Sequence, residues 1–256
     1  MYERAIEKGL KQRAILYYKW KDLKNGPDIS YSRKDRKKQL HIGGVKILGD
    51  GSVSGKTAWV KPSYLGDDEN YGLKTTSEKE LLAAAKFARR NKLQLVVHAM
   101  GEQAIDLVVN TFYKKEDWLE ERPSVRVEHA AMPTKEALKK AVKGNIAFVS
   151  QPIFLYAEIE SYLNNLGQER TKGNYPYKTI LDYGIELVFS SDAPATAWAN
   201  PVDPFTALKS AVTRRAHDGT DTGQKEKIDL ATAINLYTKE GANVTGIPDI
   251  GQLKEG

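Results

Sequence analysis

The chain of 256 residues has no cysteine, which excludes disulfides, thiolate zinc sites and cysteine nucleophiles without fixing the redox compartment. Any metal must then be held by His, Asp, Glu or a modified Lys. Histidine is scarce as well: His41, His98, His129 and His217 are the only ones, so each position is informative. No apolar run approaches the roughly 20 residues that cross a bilayer, and the N-terminal MYERAIEKGLKQR lacks the apolar core of a signal peptide. A cytoplasmic location is the default expectation. No Gly-rich dinucleotide fingerprint opens a helix, which leaves a Rossmann arrangement without support. A phosphate loop around Gly55-Lys56-Thr57 is also set aside, because Asp50 stands where the motif needs glycine and AWVKPSY is a poor helix.

The charge balance is +6, with Lys and Arg at 39 against 33 Asp and Glu. The densest basic run, Arg33 to Lys38, lacks the interleaved stacking aromatics of a nucleic-acid module and reads as a solvated surface. Expected partners are therefore a small-molecule substrate, with no nucleic acid and no membrane; a homo-oligomer is compatible with the sequence but not indicated by it.

Short β-branched runs alternate with helical stretches. The strands expected are 13–18, 44–48, 94–98, 125–129, 146–150 and 186–190. Ser77 and Glu80 form a capping box ahead of LLAAAKFARR. Thr134 caps KEALKKAVK with Gly144 at a left-handed exit, and Asp229 caps LATAINLYTKEGA. Strand, helix, strand at this spacing means a parallel sheet, and near-continuous apolar runs such as QLVVH suit strands covered on both faces. The stretch from Gly49 to Thr76 reads as a long functional loop.

Four polar residues sit at or just past the C-terminal ends of expected strands: Lys46, His98, His129 and Asp192. In a (β/α)8 barrel those ends converge on one mouth, where the chemistry lies. Each residue alone has an ordinary explanation. A histidine in an apolar strand is commonly a hydrogen-bonded core residue, a strand lysine points to solvent, and SDAP makes a turn. Jointly they point to a metal site. Imidazole and carboxylate suit Zn²⁺, with Mn²⁺ or Fe²⁺ compatible, and an aspartate beside the cation can take and return a proton.

VKILGDGSVSGKTAW, VVHAMGEQAID, RVEHA and VFSSDAP resemble, in order, segments of the amidohydrolase superfamily. They are most similar to its branch of N-substituted formamide deformylase and AepA-like exoenzyme regulatory proteins, over residues 10–256. The resemblance implies an α/β fold: a partial TIM-type (β/α)8 barrel with about six of eight parallel strands, strands three to eight plus a C-terminal helix, as a single domain over 1–256. It also implies a metal-dependent hydrolase of a C–N bond, amide or formamide rather than peptide. His98 and His129 would be the metal ligands of strands five and six. Asp192 would be ligand and general base, and Lys46 a carboxylated lysine bridging metals.

The superfamily's His-x-His motif is missing, because no histidine here has another two positions away. The segment GIPDIGQLKEG resembles the start of the family's GxLxxG stretch. Strands one and two and the β-sandwich are therefore expected to be absent, the barrel open, and the chain alone weakly active or inactive, with metal bound weakly or at one position. The rival expectation is a non-catalytic regulatory or binding protein derived from an amidohydrolase.

Other residues are assigned around that site. Asp50 shapes the loop over the mouth, and Trp59 and Tyr156 line a substrate pocket or simply pack. Glu102 accepts a hydrogen bond from His98 and orients its ring, and Arg214 holds an anionic substrate group. Glu128 points away from the face of its strand that bears His129, and His41 and His217 belong to the surface.

Overall fold

The computed structural model describes residues 1–23, 26, 29–253 and 255, with the side chain of Tyr31 left aside. Lys254 and Gly256, the end of the GxLxxG-like stretch, lie outside the described residues.

Six parallel strands run side by side in sequence order. They are β1 (Ala14–Lys19), β2 (Leu40–Leu48), β3 (Gln94–Ala99), β4 (Val125–His129), β5 (Ala147–Ser150) and β6 (Leu187–Phe189). Among the described residues β1 and β6 do not pair with each other. The result is an open α/β sheet with the strand sequence of a partial (β/α) barrel, as expected. β2 is longer than the sequence suggested. Its start, Leu40–Gly43, holds His41, which is 1% exposed. The surface assignment for His41 is therefore wrong: a histidine inside a covered strand is buried with the strand.

Register fixes what each face carries, because partners in neighbouring parallel strands point the same way. One face bears Val45, Ile47, Leu95, Val97, Val125, Val127, Phe148 and Leu187, all in the main buried core. The helices Glu78–Arg90, Glu102–Phe112 and Lys135–Lys143 follow β2, β3 and β4. Their buried stripes, such as Leu81, Ala84 and Ala88 in the first, join the same core. The opposite face is mixed. Along one row lie Lys46, Val96, Arg126 and Ala147, and along the next lie Leu48, His98, Glu128, Val149 and Val188. Lys46, His98, Arg126 and Glu128 thus share this face, opposite the helix-covered core.

Local signals explain most element ends. Ser77 Oγ accepts from Glu80 N at 3.2 Å, Thr134 Oγ1 from Ala137 N at 3.0 Å, and Asp229 Oδ1 from Thr232 N at 2.9 Å. Gly144 has φ −96 and is not left-handed; the turn out of that helix is made one residue later, at Asn145, φ 48. The last helical stretch is broken at Thr238, giving Leu230–Tyr237 and Lys239–Thr245. The second piece brings Val244 onto Ala147, Val149 and Val188, where its carbonyl accepts from Gln94 Nε2 at 3.0 Å. Between β5 and β6 four short helices occur, Pro152–Ala157, Ile159–Leu166, Gln168–Gly173 and Tyr177–Asp182.

Candidate metal centre

The C-terminal strand ends gather the expected residues unequally. His98 faces the polar side of the sheet by simple alternation. His129 does not: it pairs with Ala99, whose side chain lies in the helix-covered core. What returns its ring to His98 is a left-handed backbone, φ 74 at His129 and φ 46 at Ala130. Non-glycine residues adopt that region at a cost of order 1 kcal/mol, and such strain concentrates at functional positions. The two rings meet edge to face with centroids 4.4 Å apart, and Phe154 stacks on the other side of His129 at 5.6 Å. Glu128, expected on the far side of its strand, shares the face of His98 instead, because it is the strand end at His129 that turns.

Each imidazole is held by one nitrogen. His98 Nε2 lies 2.8 Å from the Gly51 carbonyl and 3.4 Å from Asp50 Oδ1. A carbonyl only accepts, so Nε2 carries the proton and Nδ1 keeps its lone pair. His129 Nδ1 lies 2.8 Å from Gln151 Oε1. Holding one nitrogen this way is how proteins present the other to a metal. Burial depresses both rings, His98 to about 4 against the Gly51 carbonyl and with the help of Lys46, and His129 well below its usual range. Both are therefore neutral near pH 7, the form a cation needs.

Lys46 and Asp192 complete the neighbourhood. Burial lowers the Lys46 amine, and the charges of Glu128 and Asp192 oppose it. Asp192 stands beyond β6 at φ 51 on an exposed rim, where partial burial raises its carboxyl and Lys46 pulls it back. Arg126 Nε donates to Glu128 Oε1 at 2.6 Å on the same face. Among the described residues no three His, Asp or Glu side chains are grouped to hold a metal ion by themselves. The donor set therefore fits a cation only as two prepared imidazoles plus an oxygen ligand that a modified Lys46 or a shifted Asp192 supplies.

The other assignments divide. Asp50 is buried at the root of the long loop, where its carboxylate accepts from Trp59 N, Met100 N and Gly101 N at 2.9, 3.0 and 2.8 Å. Burial nevertheless raises it to about 6. Asp50, not Glu102, stands beside His98. Glu102 accepts from Lys61 N and Arg170 Nη2, both at 3.1 Å, because it starts a helix facing the loop. Arg214 is 1% exposed and donates to the carbonyls of Asn174, Tyr175, Thr222 and Gly223. It ties loops together and is closed off from solvent, which removes it as a holder of a substrate anion. Trp59 is half-buried under Lys74. Tyr156 is buried against Trp198 at 5.1 Å, and exposed His217 leans on both while its Nε2 lies 3.1 Å from Glu160 Oε1. Sequence reasoning missed Ser150, Gln151 and Ser190. All three lie at the ends of β5 and β6, so the strand-end rule that found the histidines applied to them too.

A family model described as Amidohydrolase family matches residues 2–256. The chain belongs to the amidohydrolase family. It is 29% identical over 208 residues to the putative amidohydrolase YtcJ of Bacillus subtilis (strain 168), covering 80% of this chain and 38% of that protein. It is 22% identical over 232 residues to N-substituted formamide deformylase of Arthrobacter pascens, covering 90% and 42%. An uncharacterized metal-dependent hydrolase from Pyrococcus horikoshii OT3 superposes with TM-score 0.81 at 25% identity, over 98% of this chain and 50% of that one. A zinc-complexed mutant of atrazine chlorohydrolase from Arthrobacter aurescens TC1 shares the fold at TM-score 0.53 and 16% identity, over 85% and 41%. The chain thus spans about half or less of the length of these relatives. Among the described residues no helix is long and apolar enough to cross a membrane.

Proposed function

We propose that the chain is the metal-holding part of a hydrolase that cleaves a C–N bond of an amide or formamide other than a peptide bond. The observation that carries this reading is the pair His98 and His129. Their rings touch, and each is held by one nitrogen with the other free of hydrogen bonds among the described residues. The bond class draws support from the likeness to N-substituted formamide deformylase.

A divalent cation, Zn²⁺ by donor chemistry with Mn²⁺ or Fe²⁺ compatible, would supply Lewis-acid polarisation of the scissile carbonyl and acidify a water. His98 Nδ1 and His129 Nε2 are the nitrogens offered to it. Lys46, its amine biased by burial towards the neutral form, would add to carbon dioxide through a new N–C bond, release one proton, and so become an oxygen donor. Asp192, its carboxyl raised by burial, would accept a proton from the attacking water and pass it to the departing nitrogen. With no His-x-His pair in the chain, the proposal is for one cation.

Among the described residues no trio of His, Asp and Glu donors is preassembled, and the second reading is a non-catalytic binding or regulatory role. An amide-hydrolysis screen on zinc-loaded protein separates the two. Turnover that falls about 10²–10⁴-fold in Asp192→Asn supports the hydrolase. Wild-type turnover in that variant would rule out the role given to Asp192, and no turnover on any formamide or amide would favour the second reading.

A further inference from the structure

Gln151 is 1% exposed at the end of β5, and both ends of its amide are engaged. Its Oε1 lies 2.8 Å from His129 Nδ1, and its Nε2 lies 2.9 Å from Ser190 Oγ, just past β6. Beside it, Ser150 Oγ donates to the carbonyl of His129 at 2.9 Å. His129 is thus gripped by ring and by backbone from the next strand, at the point where its own backbone turns left-handed. The sequential strand order makes this possible, because β4, β5 and β6 end side by side.

An amide has one donor end and one acceptor end. With its nitrogen on Ser190, Gln151 presents its oxygen to His129, and an oxygen there requires a proton on Nδ1. The Nε2 lone pair is then left free. Turning the amide over would satisfy Ser190 equally, because a hydroxyl also donates, but it would place an N–H against Nδ1, move the proton to Nε2 and close that nitrogen to a cation. We infer that Gln151, hydrogen-bonded on its other end to Ser190, is a positioning residue that sets the tautomer of His129 and so decides whether its Nε2 can bind metal. This inference rests on the metal reading above. His98 needs no such device, since the Gly51 carbonyl has only an acceptor to offer.

The test is a long-range proton–nitrogen NMR correlation on metal-free, nitrogen-15 histidine-labelled chain near neutral pH, followed by zinc titration. The expected spectrum has His129 protonated on Nδ1. Gln151→Leu should lose the bias and weaken zinc about 10–100-fold. Gln151→Glu, which can only accept, should restore the Nδ1 proton and the zinc affinity. A wild-type spectrum with the proton on Nε2 overturns the inference before any variant is made. So does a folded Gln151→Leu with unchanged tautomer and unchanged zinc affinity. An Nδ1-protonated His129 whose signals ignore zinc would uphold the tautomer assignment and overturn the metal reading, so the two failures are distinguishable.

Discussion

The rings of His98 and His129 stand 4.4 Å apart although the alternation of their strands points the two side chains to opposite faces. Two consecutive left-handed residues, His129 and Ala130, make the difference. The pair is therefore assembled by a strand ending, and what holds that ending also holds the candidate site.

Asp50 provides a pH-dependent test of how the loop is anchored. Its folded value, about 6, lies above the ordinary 3.8, so its stabilising contribution is full below the unfolded value and is lost as pH rises through the folded one. The gap corresponds to about 3 kcal/mol. The stability of the wild type relative to Asp50→Asn should fall by up to that amount between about pH 3.5 and pH 7, read from urea midpoints. A difference that does not move with pH would show that the carboxyl is not so perturbed.

Gly101 lets the long loop lie against β3. A Cβ there would meet the Trp59 carbonyl oxygen at 2.2 Å and its carbonyl carbon at 2.4 Å, backbone atoms that cannot swing aside. Gly101→Ala should lower stability by about 1–3 kcal/mol and weaken zinc binding as Gly51, the partner of His98, shifts. Thermal melts with and without zinc check both effects, and a variant as stable as the wild type would contradict the tight approach.

Lys46 should make metal retention depend on dissolved bicarbonate. Zinc affinity measured with and without bicarbonate is expected to rise at least ~10-fold in the wild type, on the scale of losing a ligand's support, and to stay flat in Lys46→Met. Equal bicarbonate dependence in both proteins would remove Lys46 from the site.

Asp50→Ala should also weaken zinc, although Asp50 is not offered as a ligand. It accepts from Met100 N and Gly101 N directly after β3 and lies 3.4 Å from His98 Nε2. A loss of about 10–100-fold is expected for a residue supporting a ligand, and zinc affinity equal to that of the wild type would confine Asp50 to loop structure.

The sheet was legible because β-branched runs such as QLVVH and VRVEH carry their own period, and Ser77, Thr134 and Asp229 announced helix starts that their hydrogen bonds now explain. His98 and Lys46 were singled out by their places near strand ends, and the strand register puts both on one face. The course of His129 did not, since a local pattern cannot reveal a left-handed strand end. Nor could the sequence show that Arg214 would be spent on carbonyls, or that Glu102 would be taken by Lys61 and Arg170, since each outcome depends on loops meeting across the fold. Gln151, a polar residue just past AFVS, sits where the strand-end rule points, but a neutral amide shows its role only through its partners His129 and Ser190.

The central claim is that His98 and His129 share one cation. Calorimetric zinc titration of the purified chain, compared with His98→Ala and His129→Ala, tests it most directly. The account predicts one site, of modest affinity, lost in either variant. Two tight sites, or one site that survives both substitutions, would contradict it.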